Sequence, residues 1–306
     1  MCTGCSVNLF QLFEIVSDEK KVRDYLFDHH LLTKTVNCTS CGSVIELNSK
    51  YQFRCNKVVR LKHGKAYRKR VCKFRVTGLK DTFFERSKIS LKDILYLMYL
   101  FIDNRTTIKT ASFETKLSPA TIIDWYSFMR DIIINYCETK SSKLGGPGTV
   151  VEVDEAEFGQ RKCDKAEVRG NWVLGGIERG GKKIFLVTVG DRSEETLIEV
   201  IKDWILQGTT IVSDRQSSFR NISLEGYFHQ TGDNPQNSED SESSTNTNNI
   251  KRLWRDVRNE IPKFGRKEEH FDGHLATAFF RKIFPNQGER FHQFLLATAA
   301  FYPPYY

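Results

Sequence analysis

Residues 149–214 contain the pattern that most restricts how this chain can fold. Three short apolar segments, a helix-like segment and a further apolar segment follow one another: TVVEVDEAEF, NWVLGGIERG, KKIFLVTVGD, SEETLIEVIKDWIL and TTIVSD. Short runs rich in Val, Ile and Phe that are bounded by Gly and Asp predict strands, and the fourth segment has the apolar spacing of an amphipathic helix. Several strands with a helix between them predict an α/β sheet.

Two aspartates occupy defined positions in these predicted strands. Side chains alternate between the two faces of a strand, so Val151 and Val153 share one face while Glu152 and Asp154 share the other. Asp214 comes directly after the strand predicted at 209–213. The two aspartates are therefore expected to emerge from neighbouring strands. Taken alone, such aspartates more often cap turns or pair with a nearby Lys or Arg.

Positive charge is concentrated in one part of the chain. The net charge of the 306 residues is +8, whereas residues 50–90 alone contain fourteen Lys and Arg against Asp81 and Glu85, a local charge of +12. A basic block of this density is typical of proteins that bind the phosphate backbone of double-stranded DNA. A solvated basic surface is the alternative. Within this block, Arg68, Lys69 and Arg70 are predicted DNA contacts.

Four of the eight cysteines lie in this block or shortly before it. Cys38 and Cys41 form a CxxC knuckle with Gly42 behind it, a turn that lets two thiolates reach one tetrahedral Zn²⁺. Cys55 and Cys72 would complete a four-cysteine set, which predicts a zinc-ribbon-like module.

Two alternatives to this zinc assignment stay open. Cys55 and Cys72 are farther apart than the second knuckle of a zinc ribbon usually is, so His63 could replace one of them, or the thiols could be buried without a metal. Cys2 and Cys5 are interpreted as incidental. The longest apolar run, residues 94–102, is far shorter than the roughly 20 residues that span a membrane, so no membrane partner is expected.

A helical region follows the basic block. The segment ISLKDILYLMYLFIDN has apolar residues near helical spacing, and the residues after it predict two helices with a break near Lys116. Ser118 is placed to cap the second helix and Pro119 to occupy its first position. This pattern predicts a helix-turn-helix, and a plain helical hairpin is the alternative.

In a helix-turn-helix the second helix enters the major groove of DNA. Thr121 is accordingly predicted to lie near DNA, with Asp124 and Trp125 beside it, whereas three apolar residues of the same helix are predicted to pack inward. These three residues are Ile122, Ile123 and Phe128.

Beyond these patterns, five segments carry a resemblance to the Merlin-type DNA transposases and the related bacterial insertion-sequence transposases. They are VEVDEAEFGQRK, GNWVLGGIERG, DRSEETLIEVIKDWILQGTTIVSD, GYFHQTG and TNNIKRLWRDVRNEIPKFGRKEEHFDGHLA. The resemblance covers roughly residues 35–290 and implies a ribonuclease-H-like catalytic domain. In that family two Asp and one Glu hold two Mg²⁺ or Mn²⁺ ions for phosphodiester hydrolysis and strand transfer, and Asp154 and Asp214 match the first two. Lys251 stands at the position of the expected Glu.

No other acid of the helix that begins near Lys251 is expected to replace the missing Glu. At about 100° per residue, Asp256 points roughly 140° away and Glu260 lies about half a turn round, whereas Arg255 and Arg258 share the face of Lys251. The preceding polar loop offers the carboxylates Glu239, Asp240 and Glu242 as a less favoured source.

The resemblance and the patterns together predict six segments. These are an N-terminal helical segment (1–34), a basic zinc-ribbon-like module (35–88), a helix-turn-helix-like region (89–140), a linker (141–149), a ribonuclease-H-like domain (150–290) and a C-terminal tail (291–306).

The favoured function is that of a transposase-derived DNA-binding protein whose catalysis is impaired by Lys251, with Arg161, Lys162 and Arg255 as further DNA contacts. An active transposase with another third ligand and a protein-interaction module are the alternatives. The resemblance and the DNA partner imply residence in the nucleus, and homo-oligomerisation stays open.

Overall fold

The computed structural model divides the chain into two compact units, Met1–Ile132 with Phe284–Tyr306, and Ile133–Ile283. The residues that the structure describes are 2–63, 66–103, 106–159, 161–163, 166–168, 170–181, 183–214, 219, 221–231, 246–262 and 268–304. For 61–63, 66–68, 161–163, 166–168 and 268 it describes the backbone alone. Among the described residues, none of the helices is both long and apolar enough to cross a membrane.

The first unit combines helices with a small strand-rich module. Its helices are α1 (Leu9–Val16), α2 (Glu19–Asp28), α3 (Leu91–Ile102), α4 (Ile108–Thr115), the start of α5 (Pro119–Lys140, which continues into the second unit) and the C-terminal helix, Gln287–Phe301, called α9 below. Ser90 caps α3 by accepting a hydrogen bond from the Asp93 backbone N–H. Since α3 is apolar on nearly all sides, it is buried between its neighbours, and the helix predicted there is confirmed.

The predicted break between α4 and α5 is also confirmed. Lys116 adopts the left-handed conformation that ends α4, and the Ser118 hydroxyl accepts a hydrogen bond from the Thr121 backbone N–H at 3.1 Å. Pro119 occupies the first helical position, where its missing N–H leaves no donor unpaired. The structure thus contains both predicted helices.

The inward packing predicted for α5 is only partly correct. Ile122 is fully buried, but Ile123 and Phe128 are about half exposed, so the prediction is wrong for these two residues. The reason is the helical period, because the buried residues of α5 follow one another at intervals of about three or four positions and form one stripe. Ile123 and Phe128 lie outside this stripe. The stripe consists of Ile122, Tyr126, Met129, Ile132 and Ile133.

The strand-rich module of the first unit is built from three antiparallel pairs. They are β1 (Thr35–Asn37) with β2 (Val44–Glu46), β3 (Gln52–Arg54) with β6 (Arg75–Thr77), and β4 (Val58–His63) with β5 (Ala66–Val71). Few large apolar side chains are buried along these strands, Phe53 being the largest of them. A core this small needs a further source of stability.

The second unit is built on a five-stranded mixed sheet. In chain order its strands are β8 (Val150–Phe158), β11 (Asn171–Glu178), β12 (Ile184–Val189), β14 (Thr210–Ser213) and β15 (Phe228–Thr231). The spatial order is β12-β11-β8-β14-β15. β11 runs antiparallel to its neighbours β12 and β8, and β14 runs parallel to its neighbours β8 and β15. The sheet and the helices that pack on it confirm the predicted α/β class.

The other elements of the second unit are shorter strands and three helices. They are β7 (Leu144–Gly145), β9 (Arg161–Cys163), β10 (Ala166–Val168), α6 (Glu194–Trp204), β13 (Ile205–Leu206), α7 (Asn248–Glu260) and α8 (Phe271–Ile283). Val151 and Val153 of β8 share a buried cluster with Leu197 and Ile201 of α6. Ala156 and Phe158, on the opposite face of the same strand, share another with α7 and α8. The sheet therefore lies between two helical layers, and the α7 side is the side of Asp154.

Candidate functional site

The parallel pairing of β8 with β14 brings the two predicted aspartates side by side. Val212 is paired with Glu152, so two residues further along both strands Asp214 lies next to Asp154. Both aspartates line a cleft of about 320 Å³, together with Glu155, Arg192 and other residues of the second unit.

Lys251 forms an ion pair with one of these aspartates. Its Nζ lies 2.7 Å from Asp214 Oδ2, and the Thr247 hydroxyl donates a hydrogen bond to Asp214 Oδ1. The indole Nε1 of Trp254, one turn further along α7, donates to Asp154 Oδ2 at 3.1 Å. Both oxygens of Asp214 and one oxygen of Asp154 thus have partners within the chain.

A buried glutamate that sequence reasoning did not single out holds α7 in place. The Glu152 side chain has no exposed surface and accepts hydrogen bonds from the backbone N–H groups of Asn249 (2.9 Å) and Ile250 (3.0 Å). Thr247, which precedes α7, makes no capping hydrogen bond of its own, so Glu152 serves as the cap from the neighbouring strand. Arg179 Nε donates to the same carboxylate at 2.8 Å and balances its charge. The signal in the sequence was a carboxylate inside an otherwise apolar strand.

The other acids of α7 point away from the two aspartates. Asp256 pairs with Lys282 at 2.6 Å and Glu260 with Arg281 at 3.5 Å, so both face α8. The expectation that neither shares the face of Lys251 is confirmed. Among the described residues, no third His, Cys, Asp or Glu ligand atom forms a close group with those of Asp154 and Asp214. The loop carboxylates Glu239, Asp240 and Glu242 lie outside the described residues.

The electrostatics of the cleft combine buried acids with arginines. Burial raises the pKa of the Asp154 carboxyl above its usual value, and the charge of Asp214 adds to this effect. Glu155 is paired with Arg192 at 2.5 Å, and Arg192 lies 4.1 Å from the centre of the Trp172 ring. Arg258 also lines the cleft, in agreement with its predicted position on the Lys251 face.

The four cysteines of the basic module converge. Cys38 and Cys72 sulfurs are 3.4 Å apart, those of Cys41 and Cys55 are 3.6 Å apart, and all four lie within 4.8 Å of one another. Tetrahedral Zn²⁺ with Zn–S bonds of about 2.3 Å separates its sulfurs by about 3.8 Å, so the cluster is compatible with zinc. Hydrogen bonds with Ser43 lower the pKa of the Cys41 thiol to about 6, which favours the thiolate.

Cys2 and Cys5, interpreted above as incidental, also belong to a cluster. Their sulfurs lie with ring nitrogens of His29 and His292, all within 4.8 Å of one another. The interpretation as incidental did not anticipate this cluster. The spacing of the two cysteines was visible in the sequence, but no pattern linked them to histidines 24 and 287 residues beyond Cys5.

Of the predicted DNA contacts whose side chains the structure describes, Lys69, Arg70 and Arg255 are exposed and Thr121 is partly exposed. All described cations of the basic block are exposed, and these are Lys50, Arg54, Lys57, Arg60, Lys69, Arg70, Lys73, Arg75, Lys80, Arg86 and Lys88. Arg255 is exposed on α7. The side chains of His63, Arg68, Arg161 and Lys162 lie outside the described ones.

Comparison with known protein families finds a match for one region of the chain. Residues 143–282 match the sequence profile of the ISXO2-like transposase domain. Among solved structures, the catalytic core domain of BIV integrase is similar with 11% sequence identity, 43% of this chain and 81% of that chain covered, and a TM-score of 0.29. No curated protein matches the chain. The part of the chain that is similar to the ISXO2-like transposase domain contains Asp154, Asp214 and Lys251.

Proposed function

We propose that this chain is a transposase-derived DNA-binding protein in which DNA cleavage is impaired. The observation that carries the proposal is the ion pair of 2.7 Å between Lys251 and Asp214, at the position where the resemblance implies a third acidic ligand. The ISXO2-like domain supports the transposase descent, and the exposed basic block supports DNA as the partner.

The donor set does not fit a pair of divalent cations. In a complete acidic site such cations activate the attacking oxygen and stabilise the leaving one. Here the Lys251 ammonium takes the place of a ligand. Of the two oxygens of Asp214, Oδ2 forms the ion pair with Lys251 and Oδ1 accepts a hydrogen bond from Thr247. Repulsion between an ammonium and a divalent cation several Å away is on the order of a few kcal/mol at the effective dielectric of such sites. We therefore expect weak metal binding and no detectable cleavage.

DNA binding is assigned first to the basic block of the first unit. Its described cations are exposed, and two of them form ion pairs, Lys80 with Asp81 at 3.7 Å and Arg86 with Glu85 at 3.6 Å. Exposed cations of this density release condensed counterions when they meet phosphates, which makes the affinity strongly dependent on salt.

The α4–α5 pair is proposed to read the major groove next to this block. Thr121, Asp124 and Trp125 at the start of α5 line a groove of about 720 Å³ within the first unit. Arg86 and Lys88 line the same groove, so a phosphate could be held beside the residues that face the bases. Zinc held by the four-cysteine cluster would stabilise the adjoining module. A DNA partner would imply residence in the nucleus.

Cleavage is tested by Mn²⁺-dependent nicking of supercoiled DNA. We expect no nicking by the wild type or by Asp154→Ala, and nicking by Lys251→Glu, which restores the acidic side chain. Lys251→Met is the matched control, because it removes the charge without adding a ligand, and it is expected to stay inactive. Nicking by the wild type that Asp154→Ala abolishes would instead establish an active transposase.

An active transposase is the second candidate function, and one observation favours it, because Asp154 and Asp214 line one cleft.

DNA binding is tested separately by fluorescence anisotropy at increasing salt. A steep loss of affinity between 50 and 200 mM salt is expected, and binding that is absent at low salt would contradict the proposed partner.

A further inference from the structure

The first unit contains a second group of metal-ligating side chains, away from the four-cysteine cluster. Cys5 Sγ lies 3.3 Å from His29 Nε2 and 3.4 Å from His292 Nδ1, and Cys2 Sγ lies 3.8 Å from the same nitrogen of His292. The two imidazole rings meet edge to face with their centres 5.2 Å apart. Two thiols and two imidazole nitrogens therefore point at one small volume.

These distances match the edges of a tetrahedral zinc site. With Zn–S bonds of about 2.3 Å and Zn–N bonds of about 2.0–2.1 Å, a tetrahedral ion separates a sulfur from a nitrogen by about 3.5 Å. The three S–N distances among Cys2, Cys5, His29 and His292 are 3.3, 3.4 and 3.8 Å. The ligand set is then Cys₂His₂, which is one of the usual sets of structural zinc sites.

The hydrogen bond of His29 selects the tautomer that a metal requires. Its Nδ1 lies 2.8 Å from the backbone oxygen of Tyr25, and that oxygen can only accept, so Nδ1 carries the proton. Nε2 is then left with a lone pair that points toward Cys5. A ligand histidine held by a backbone carbonyl through its other nitrogen is the arrangement that recurs in metal sites.

Burial makes the cluster hard to explain as a set of ordinary polar side chains. His29 is 1% exposed and His292 is 3% exposed, while the two cysteines are only partly buried and unlinked by a disulfide. Two buried imidazoles and two thiols gain only weak S–H hydrogen bonds from one another, whereas a bound cation would engage a lone pair of each ligand.

Close backbone contacts bring the N-terminal segment to both histidines. The Cys2 backbone N–H donates to the oxygen of Asp28 at 3.0 Å, at the end of α2 next to His29. On α9, a Cβ added to Gly288 would lie 2.1 Å from Ser6 Oγ and 2.9 Å from Ser6 Cα, so glycine permits the approach of the residue that follows Cys5. The backbone is thus arranged to assemble the cluster.

We propose that Cys2, Cys5, His29 and His292 bind one Zn²⁺ ion, in addition to the zinc of the four-cysteine cluster. Four protein ligands leave no open position, so the ion is structural and does not activate water. It joins the segment before α1, the end of α2 and the helix α9, and therefore links the two separate stretches of chain that form the first unit. A link between residues this far apart in sequence removes much of the conformational freedom of the unfolded chain.

The test is the zinc content of the purified full chain, measured by inductively coupled plasma mass spectrometry. We expect two Zn²⁺ per wild-type chain, one in Cys5→Ala, one in His292→Ala and two in Cys137→Ala, which removes a cysteine that lies outside both clusters. His292→Cys supplies a thiolate in place of the imidazole and is expected to keep two. A wild-type content of one zinc that Cys5→Ala and His292→Ala leave unchanged overturns the proposal.

Cobalt substitution of the wild type keeps the test decisive if a variant fails to fold. Co²⁺ in a tetrahedral site with thiolate ligands absorbs light through sulfur-to-metal charge transfer and through d–d transitions. The d–d bands differ between Cys₄ and Cys₂His₂ sites. Titration of the metal-free chain should saturate at two equivalents with two distinguishable spectra. Saturation at one equivalent, with the Cys₄ spectrum alone, overturns the second site and leaves the proposals on DNA cleavage and DNA binding untouched.

Discussion

The cysteine clusters of the first unit and the carboxylate site of the second differ in how their ligand atoms are used. In the clusters each group contains four ligand side chains within 4.8 Å, and no Lys or Arg is among them. In the carboxylate site Asp214 is bound by Lys251 and Thr247, and Asp154 accepts a hydrogen bond from Trp254. The first arrangement is compatible with a bound metal ion, whereas the charged oxygens of the second already have partners within the chain.

This difference indicates what one substitution can do to a metal site. A carboxylate site tolerates a lysine at a ligand position because the ammonium can form an ion pair with the remaining acid and remain half exposed to solvent. A closed tetrahedral thiolate site offers no room for such a replacement. Loss of metal at the carboxylate site is therefore compatible with an intact fold, whereas loss of the zinc proposed for the clusters is expected to destabilise the first unit.

The largest effect is expected at the four-cysteine cluster. Cys38→Ala should release its zinc and unfold the strands around it, because the three strand pairs bury little apolar surface and zinc supplies on the order of 10 kcal/mol in small zinc-dependent domains. Hydrogen exchange of residues 35–77 should accelerate throughout, while α3 and the five-stranded sheet stay protected. Unchanged exchange in this range would show that the module folds without metal and would remove the contrast between the two regions.

A smaller effect is expected inside the carboxylate site. Glu152→Ala should lower the free energy of unfolding by about 3–5 kcal/mol, because it leaves Arg179 without its buried partner and the first N–H groups of α7 uncapped. Glu225→Ala is the matched control, since Glu225 pairs with Lys202 at 2.7 Å on the surface of the same unit, and a change of less than about 1 kcal/mol is expected there. Urea denaturation measures both. Equal losses would mean that Glu152 contributes no more than a surface ion pair.

Several parts of this carboxylate site could be predicted from the sequence because they follow from local periodicity. The strand period placed Glu152 and Asp154 on one face, and the helical period excluded Asp256 and Glu260 as substitutes for a ligand at position 251. The juxtaposition of Asp154 with Asp214 followed from the order of the strands and is explained by the parallel pairing of β8 with β14.

The features that were missed depend on contacts between distant residues. The histidines that meet Cys5 are 24 and 287 residues away, and no spacing rule connects them. The role of Glu152 depends on where α7 begins relative to β8, which the sequence pattern does not encode. Ile123 was assigned inward because it is apolar, but the buried face of α5 passes through Ile122.

Replacing Lys251 by a carboxylate would test directly whether the lysine is what distinguishes the carboxylate site from the cysteine clusters. Lys251→Glu should raise the affinity for Mn²⁺ at least about tenfold, which is about 1.4 kcal/mol, because it adds a carboxylate beside Asp214 and removes the ammonium. Stability should change by less than about 1 kcal/mol, since the ion pair is half exposed. Isothermal titration with Mn²⁺ measures the affinity, and Lys251→Met separates the loss of charge from the gain of a ligand. A titration indistinguishable from that of the wild type would show that Lys251 is not what weakens the metal site.

The smallest effect concerns single cations of the basic block. If DNA is held by the first unit, Lys69→Ala and Arg70→Ala should each lower the slope of log affinity against log salt by about 1, so that affinity falls about fourfold less between 50 and 200 mM salt. Lys202→Ala removes a cation of the second unit that is paired with Glu225, and its slope should equal that of the wild type. Anisotropy titrations with the same duplex at four salt concentrations give all three slopes. If Lys202→Ala alone lowers the slope, the phosphate contacts belong to the second unit. The basic block would then be a solvated surface whose exposed charge has no DNA partner.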